Sequence, residues 1–175
     1  RILLSNTYRQ ASTPNPRGLA RDVDTRLLWR FPPRRLEAEV IHDCILQLSG
    51  SLDLSMGGPG FSTFEPNQNY VRDYRPKESL GPAEWRRMVY MQKVRMEQTP
   101  LFGSFDMPDA GQVCPKRSQS TTAIQALNLF NGRFVLDHAK RMATLLAELP
   151  DNPVENAYLS AFGRSPSADE ASAAK

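Results

Sequence analysis

Acid, base and thiol side chains crowd the stretch RRLEAEVIHDC, Arg34–Cys44. Glu37, Glu39, His42, Asp43 and Cys44 lie within three turns if the stretch is helical. Such a set can move protons or hold a cation; the same residues also make the polar face of an ordinary helix. A second group is Asp106 and Asp109, flanking Pro108, with Arg117 further along. Paired carboxylates serve acid–base chemistry or bind a hard cation, and these three are the candidate catalytic residues. The alternative is a loop held by side-chain caps and an Arg–Asp pair.

His42 with Asp43, and His138, are the remaining candidates for a metal. They fall in separate helical patterns without HxxxH or HExxH spacing, so no metal is expected and both histidines read as partly exposed. Cys114 is followed by Pro115, Lys116 and Arg117, and nearby positive charge would raise its reactivity. Cys44 and Cys114 could pair in an oxidising compartment, or each could be a plain thiol. There is no CxxC and no CxxCH, hence neither a zinc finger nor a haem attachment site, and no cofactor is expected in this segment. Ser55–Gly60 (SMGGPG) permits unusual backbone angles but lacks the order of a phosphate loop, and no nucleophile elbow supports a hydrolase triad.

Charge is unevenly placed. Residues 1–35 hold eight arginines against Asp22 and Asp24, a net +6, so the total of +3 leaves −3 for the remainder. A basic end calls for an acidic partner: a protein surface, an anionic glycan or nucleic acid. Arg21, Arg26, Arg30, Arg34 and Arg35 are the candidate binding residues. Solvated arginines that pair internally are the alternative. The arginines are not interleaved with several aromatics, so a single-strand stacking platform is unsupported and nucleic acid is the least favoured partner.

The elements that must position these residues are helical. At 175 residues, 40% apolar and 23% charged, the chain suits one domain with a real core, and 14 prolines imply long loops. A short helix is expected in Arg1–Gln10, a break at Thr13–Gly18, and a short helix capped by Asp24 running to Trp29, stopped at Pro32–Pro33. The firmest helix is Arg34–Ser49. Leu36, Val40, Ile41, Cys44, Ile45 and Leu48 form its stripe, Gly50 ends it, and Arg35 pairs with Glu39. Tyr70–Tyr74 and Arg87–Arg95 alternate like strands and are expected to form a small antiparallel ribbon. Thr99 caps a short helix with Pro100 at its first position, and Ser120 or Thr121 caps another with Ile124, Leu127 and Phe130 inward. Val135, Ala139, Met142, Leu146 and Leu149 mark the next helix, and Asn152–Pro153 starts one that Gly163 closes. Ser167 and Glu170 box the last. The fold class is mainly α: a single helical domain over 1–175 with a small antiparallel ribbon and long Pro/Gly-rich loops. No apolar run approaches the ~20 residues that span a bilayer.

NTYRQAS, FPPRRLEAEVIHDCIL, LDLSMGGPGF, FDMPDAGQVCPKR, STTAIQALNLFN and NAYLSAFGRSPSADE follow one another along almost the whole chain. This order resembles the planctomycete-type C-terminal domain of unknown function, the PSD family, with matches at Arg35, Glu37, Asp43, Gly57, Gly58, Asp106, Pro108, Asp109, Arg117, Gln125 and Asn131. The resemblance implies a C-terminal piece of a large exported protein, extracytoplasmic, in which cytochrome-c-like domains carrying haem c lie upstream. A chain that opens on Arg1 and closes on Lys175 inside a helical pattern agrees with a longer parent. The resemblance brings no established activity with it. Two readings follow: a non-catalytic interaction module that docks on those upstream domains or on another acidic partner, or part of an extracytoplasmic enzyme, an oxidoreductase or polysaccharide-acting protein, lending Asp106, Asp109 and Arg117 to a shared site.

Overall fold

Side-chain caps start four of the six α-helices among the described residues, and where a cap departs from its expected position the element moves with it. The computed structural model describes residues 1–66, 73–95, 97–99, 102–150 and 152–174. They fall into two compact units, Arg1–Leu36 and Glu37–Lys175.

In the first unit, α1 (Pro16–Arg21) begins where TPNPRG was read as a break. Asn15 is extended, its side chain accepts the Gly18 N–H at 2.7 Å, and Pro16 takes the first helical position. Trp29 folds back over α1. Its indole N–H donates to the Asp22 carbonyl at 2.8 Å, and a Cβ on Gly18 would come within 2.5 Å of the ring. The expected Asp24-capped helix does not form. Asp22 takes the capping role instead, accepting the Arg26 and Leu27 N–H groups at 3.0 and 2.6 Å. Thr25 and Leu28 sit at φ 59° and 54°, outside helical space. Of the helix expected in Arg1–Gln10, only a 3-10 turn at Ile2–Leu4 is formed.

The second unit carries α2 (Ala38–Leu48), α3 (Ala123–Asn131), α4 (Arg133–Ala147), α5 (Pro153–Phe162) and α6 (Ala168–Ala173), with 3-10 turns at Pro82–Glu84, Met88–Tyr90 and Phe102–Phe105. The fold is mainly α. α4 is the central element: α2, α3 and α5 all pack on it. Ala38, Met88, Phe102, Phe105 and Met107 form the core, with Ile41, Met91 and Phe134 against it.

α2 starts four positions later than its apolar pattern suggested, because Glu37 is extended at the N-cap. Arg35 lies ahead of the first turn. The buried face is also rotated. Ala38, His42 and Leu46 are buried, whereas Leu36 and Val40 of the expected stripe are 51% and 43% exposed. Gly50 closes the helix at φ 64°, as expected of a C′ glycine.

The strand expected over Arg87–Arg95 is not regular. The N–H groups that would build a ladder are committed elsewhere: Met88 to Asp43 Oδ1 at 2.7 Å, Tyr90 to the Arg87 carbonyl and Met91 to the Met88 carbonyl, both at 2.9 Å. Pairing among the described residues is reduced to isolated bridges, Asp53 with Arg86, Phe61 with Met91 and Phe64 with Pro76. Tyr70–Arg72 of the partner strand, and Pro100 of the helix expected after Thr99, lie outside the described residues.

Thr122, rather than Ser120 or Thr121, caps α3 and closes a box with Gln125. Gln125 is the buried residue of α3, while Ile124, Leu127 and Phe130 face outward. Val154, Ala157 and Tyr158 of α5 are half-buried and Ala161 is exposed, and Gly163 closes that helix at φ 66° as expected. Ser167 and Glu170 box α6.

Candidate functional site

The first turn of α4, the end of α3 and the Phe102–Phe105 turn surround a cavity of about 250 Å³ in the second unit. Phe102, Phe134 and Leu80 give it apolar walls, and Thr63, Thr99, Asn128 and His138 line it as well. Two backbone bonds hold the threonines in place: Lys77 N–H to the Thr63 carbonyl at 2.9 Å and Gly103 N–H to the Thr99 carbonyl at 2.8 Å. Thr63 is 7% and Thr99 4% exposed, and neither hydroxyl has a hydrogen-bond partner among the described residues. Such an orphaned hydroxyl normally costs ~1–3 kcal/mol. At the edge, Lys77 pairs with Glu84 at 2.8 Å and Arg133 with Asp137 at 3.6 Å.

Both histidines stand beside this cavity's walls in one aromatic cluster, not partly exposed as expected. His42 is 1% and His138 3% exposed. His42 stacks on Phe134 at 5.3 Å and meets Phe102 edge-on at 5.2 Å; His138 contacts Phe134 at 4.6 Å and Trp85 at 5.4 Å. The Ser49 hydroxyl donates its single proton to the Leu46 carbonyl at 3.0 Å. The 2.9 Å contact between Ser49 Oγ and His138 Nδ1 is therefore donated by the imidazole, which leaves Nε2 as the acceptor. His42 Nδ1 lies 2.9 Å from Asp43 Oδ1, so it carries the proton, and its buried Nε2 has no partner among the described residues. Burial pushes both histidines below their ordinary pKa; Asp43 opposes this at His42, while Arg141 adds to it at His138.

The residues singled out for chemistry do not converge there. Asp106 occupies the left-handed region at φ 56° and accepts the Ser120 N–H and hydroxyl at 2.7 and 2.8 Å, tying its loop to the start of α3. Asp109 closes a turn by accepting the Gly111 N–H at 2.8 Å. Arg117 grips both Glu39 oxygens at 2.6 and 2.7 Å and reaches Glu37 at 3.2 Å. The Arg117 bond holds the Glu39 carboxyl below its ordinary pKa. Glu39, Asp43, Lys93 and Arg117 share an open groove of about 510 Å³ that Asp109 does not line. Of the two alternatives for the cysteines, the plain thiols are present: Cys44 is free and half-buried on α2, and Cys114 is free and exposed. Among the described residues no group of three or more His, Cys, Asp and Glu is placed to hold a metal ion.

The candidate binding arginines divide. Arg21, Arg26 and Arg34 are exposed and have no carboxylate partner among the described residues, while Arg30 and Arg35 are half-buried. Arg30 lies over the Trp29 ring at 5.2 Å and donates to the Ser12 carbonyl at 3.3 Å. Reasoning along the chain missed Thr63, Thr99 and the bridging amide of Gln125, which donates to the Ser104 carbonyl and the Ser120 hydroxyl at 2.9 and 3.1 Å. The capping box at Thr122 was the signal that would have fixed Gln125; Thr99 was marked only as a helix cap, a role its unpartnered hydroxyl does not take among the described residues, and nothing local marks Thr63.

These features define a mainly α domain with a single-ligand-sized cavity, and no helix in its described residues is long and apolar enough to cross a membrane. The chain belongs to the PSD1 family, described as a protein of unknown function (DUF1553), whose family model matches residues 1–175. The resemblance read from the sequence blocks is thereby borne out, and the chain is a domain of unknown function. Neither the curated proteins nor the solved structures hold a match to it.

Proposed function

We propose that the chain is a non-catalytic interaction module, docking through its arginine-rich first unit on an acidic protein surface, with the upstream domains of an exported parent as the partner tested first. The observation that carries this reading is the set of exposed guanidinium groups of Arg21, Arg26 and Arg34, none of which has a carboxylate partner among the described residues. Among the described residues Asp22 accepts the N–H groups of Arg26 and Leu27 and forms no ion pair with any of the three. Arginine suits such a surface, since its planar fork meets carboxylates two bonds at a time. The non-catalytic part is supported by Asp106, Asp109 and Arg117, each of which holds a loop or a helix start in place. The extracytoplasmic setting and the cytochrome-c-like neighbours rest on the family resemblance, and any haem would belong to those neighbours.

Combined Arg21→Glu, Arg26→Glu and Arg34→Glu substitutions test it, with binding to the parent's other domains measured by calorimetry. Loss of at least about tenfold in affinity is expected, together with weaker wild-type binding as salt is added. Unchanged association at low salt would remove the arginine surface from docking. Transfer of binding to a sulfated glycan, with none to the protein partner, would replace the acidic protein by a polyanion.

A further inference from the structure

We propose that a groove in the first unit takes an aromatic side chain flanked by carboxylates, carried by an acidic protein partner. This rests on docking through the arginine surface and adds what the docked segment presents. The groove measures about 430 Å³, and Ile2, Tyr8, Leu28 and Phe31 line it. A dry cavity of about 150 Å³ holds benzene, so this space takes one aromatic ring with the backbone that carries it. All four side chains are exposed, so the lining is open to a partner rather than spent on the unit's own core.

Leu28 marks the groove as more than a gap in packing. It sits at φ 54°, where a leucine Cβ crowds its own backbone and glycine or asparagine is at ease. Surrounding hydrogen bonds impose this conformation. Asp22 accepts the Arg26 and Leu27 N–H groups, the Thr25 N–H donates to the Asp22 carbonyl at 3.3 Å, and the Leu28 N–H donates to the Thr25 carbonyl at 3.1 Å. A strained leucine that also stays 58% exposed gives folding little in return. Against a docked apolar side chain the same surface leaves water. Tyr8 and Phe31, tilted to each other at 6.1 Å, offer the ring faces and edges that favour an aromatic one.

Charge sets the flanks of the docked residue. Arg30 and Arg34 line the groove against one carboxylate, Asp24. The Arg34 guanidinium lies 5.8 Å from the centre of the Phe31 ring and has no carboxylate partner among the described residues. A carboxylate beside the partner's aromatic residue meets Arg34 while the ring fills the groove. A sulfated glycan supplies the charge but no apolar group to cover Ile2, Leu28 and Phe31. Nucleic acid suits the groove less, since its base edges would lose hydrogen bonds against the same side chains.

Two-dimensional NMR of the whole chain, titrated with end-capped pentapeptides, tests this. The probe carries phenylalanine between two pairs of glutamates; in one control serine replaces the phenylalanine, and in the other lysines replace the glutamates. The probe is expected to shift the Tyr8, Leu28 and Phe31 resonances together and to bind at least about fivefold more tightly than either control. Leu28→Asn is expected to bring the probe's affinity down to that of the serine peptide. The same variant is expected to melt no lower than the wild type, because asparagine relieves the strain at φ 54°. No probe shift at Tyr8, Leu28 and Phe31 overturns the site. Equal binding of the probe and the serine peptide, or unchanged probe binding by the Leu28→Asn chain, overturns the aromatic anchor. In either case docking through Arg21, Arg26 and Arg34 still stands if their glutamate variant loses the partner domains. Equal binding of the lysine-flanked peptide overturns the acidic flanks, and displacement of the probe by oligothymidylate overturns the protein class.

Discussion

His42 and His138 make folding sensitive to acid. Both lie at or below 3% exposure, and burial holds both below the ordinary value of 6.5. The unfolded chain therefore binds more protons than the folded one once pH drops under that value. Stability is fully present above about pH 6.5 and falls as pH descends toward the folded-state values, by up to about 1.4 kcal/mol per pH unit for each histidine. Thermal melts from neutral to mildly acidic pH are expected to show this slope, and His138→Gln to flatten it. Glu39 acts in the same direction lower down. Its carboxyl is held below 4.5 by Arg117, so its contribution is present above that value and disappears as pH falls through the folded one. Arg117→Ala is expected to cost about 1–3 kcal/mol in urea unfolding, because it strips Glu39 and Glu37 of their partner together. Asp109→Asn, which touches one exposed turn, is expected to stay within about 0.5 kcal/mol.

Helix ends, rather than helix faces, decide what this chain forms at the element scale. Thr122→Ala removes the side-chain acceptor of α3 and is expected to cost about 1 kcal/mol, whereas Ser120→Ala acts through Asp106 and loosens the preceding loop instead. Gly50→Ala is expected to destabilise by about 1–2 kcal/mol, since φ is 64° and the new methyl would lie 2.9 Å from Leu145 Cδ1. The later helices were legible because their signals are local: Asn152–Pro153, Gly163 and the Ser167–Glu170 box each lie within a few residues of the end they mark. The faces were less legible. In α2, periodicity selects leucine, valine and isoleucine, but the core was built around a histidine whose surroundings come from Phe61, Phe102 and Phe134. In α3 the apolar positions were legible, yet Gln125 won the buried place by bonding to Ser104 and Ser120. Leu127→Lys is accordingly expected to leave the melting temperature nearly unchanged.

Across the whole molecule, each unit encloses its own contacts. A chain of residues 37–175 alone is therefore expected to keep a cooperative thermal transition by circular dichroism. The mainly α class was legible from composition and period, and the basic end from simple counting. The cavity was not, because Thr63, Thr99 and His138 are distant in sequence and meet only after α4 has gathered the elements around it. One further feature acts at this scale. Arg86 donates to the carbonyls of Pro59, Ser55 and Gly57 at 2.6, 3.1 and 2.6 Å and lies 3.9 Å from the centre of the Tyr90 ring, whose hydroxyl accepts the Gly57 N–H at 2.8 Å. A guanidinium ringed by three carbonyls does what a coordinated cation does in other loops, with the charge built into the chain and impossible to extract by a chelator. The loop around Gly57 is thus expected to resist proteases, and the Gly57 amide hydrogen to exchange slowly, in buffers with or without metal, until Arg86 itself is replaced.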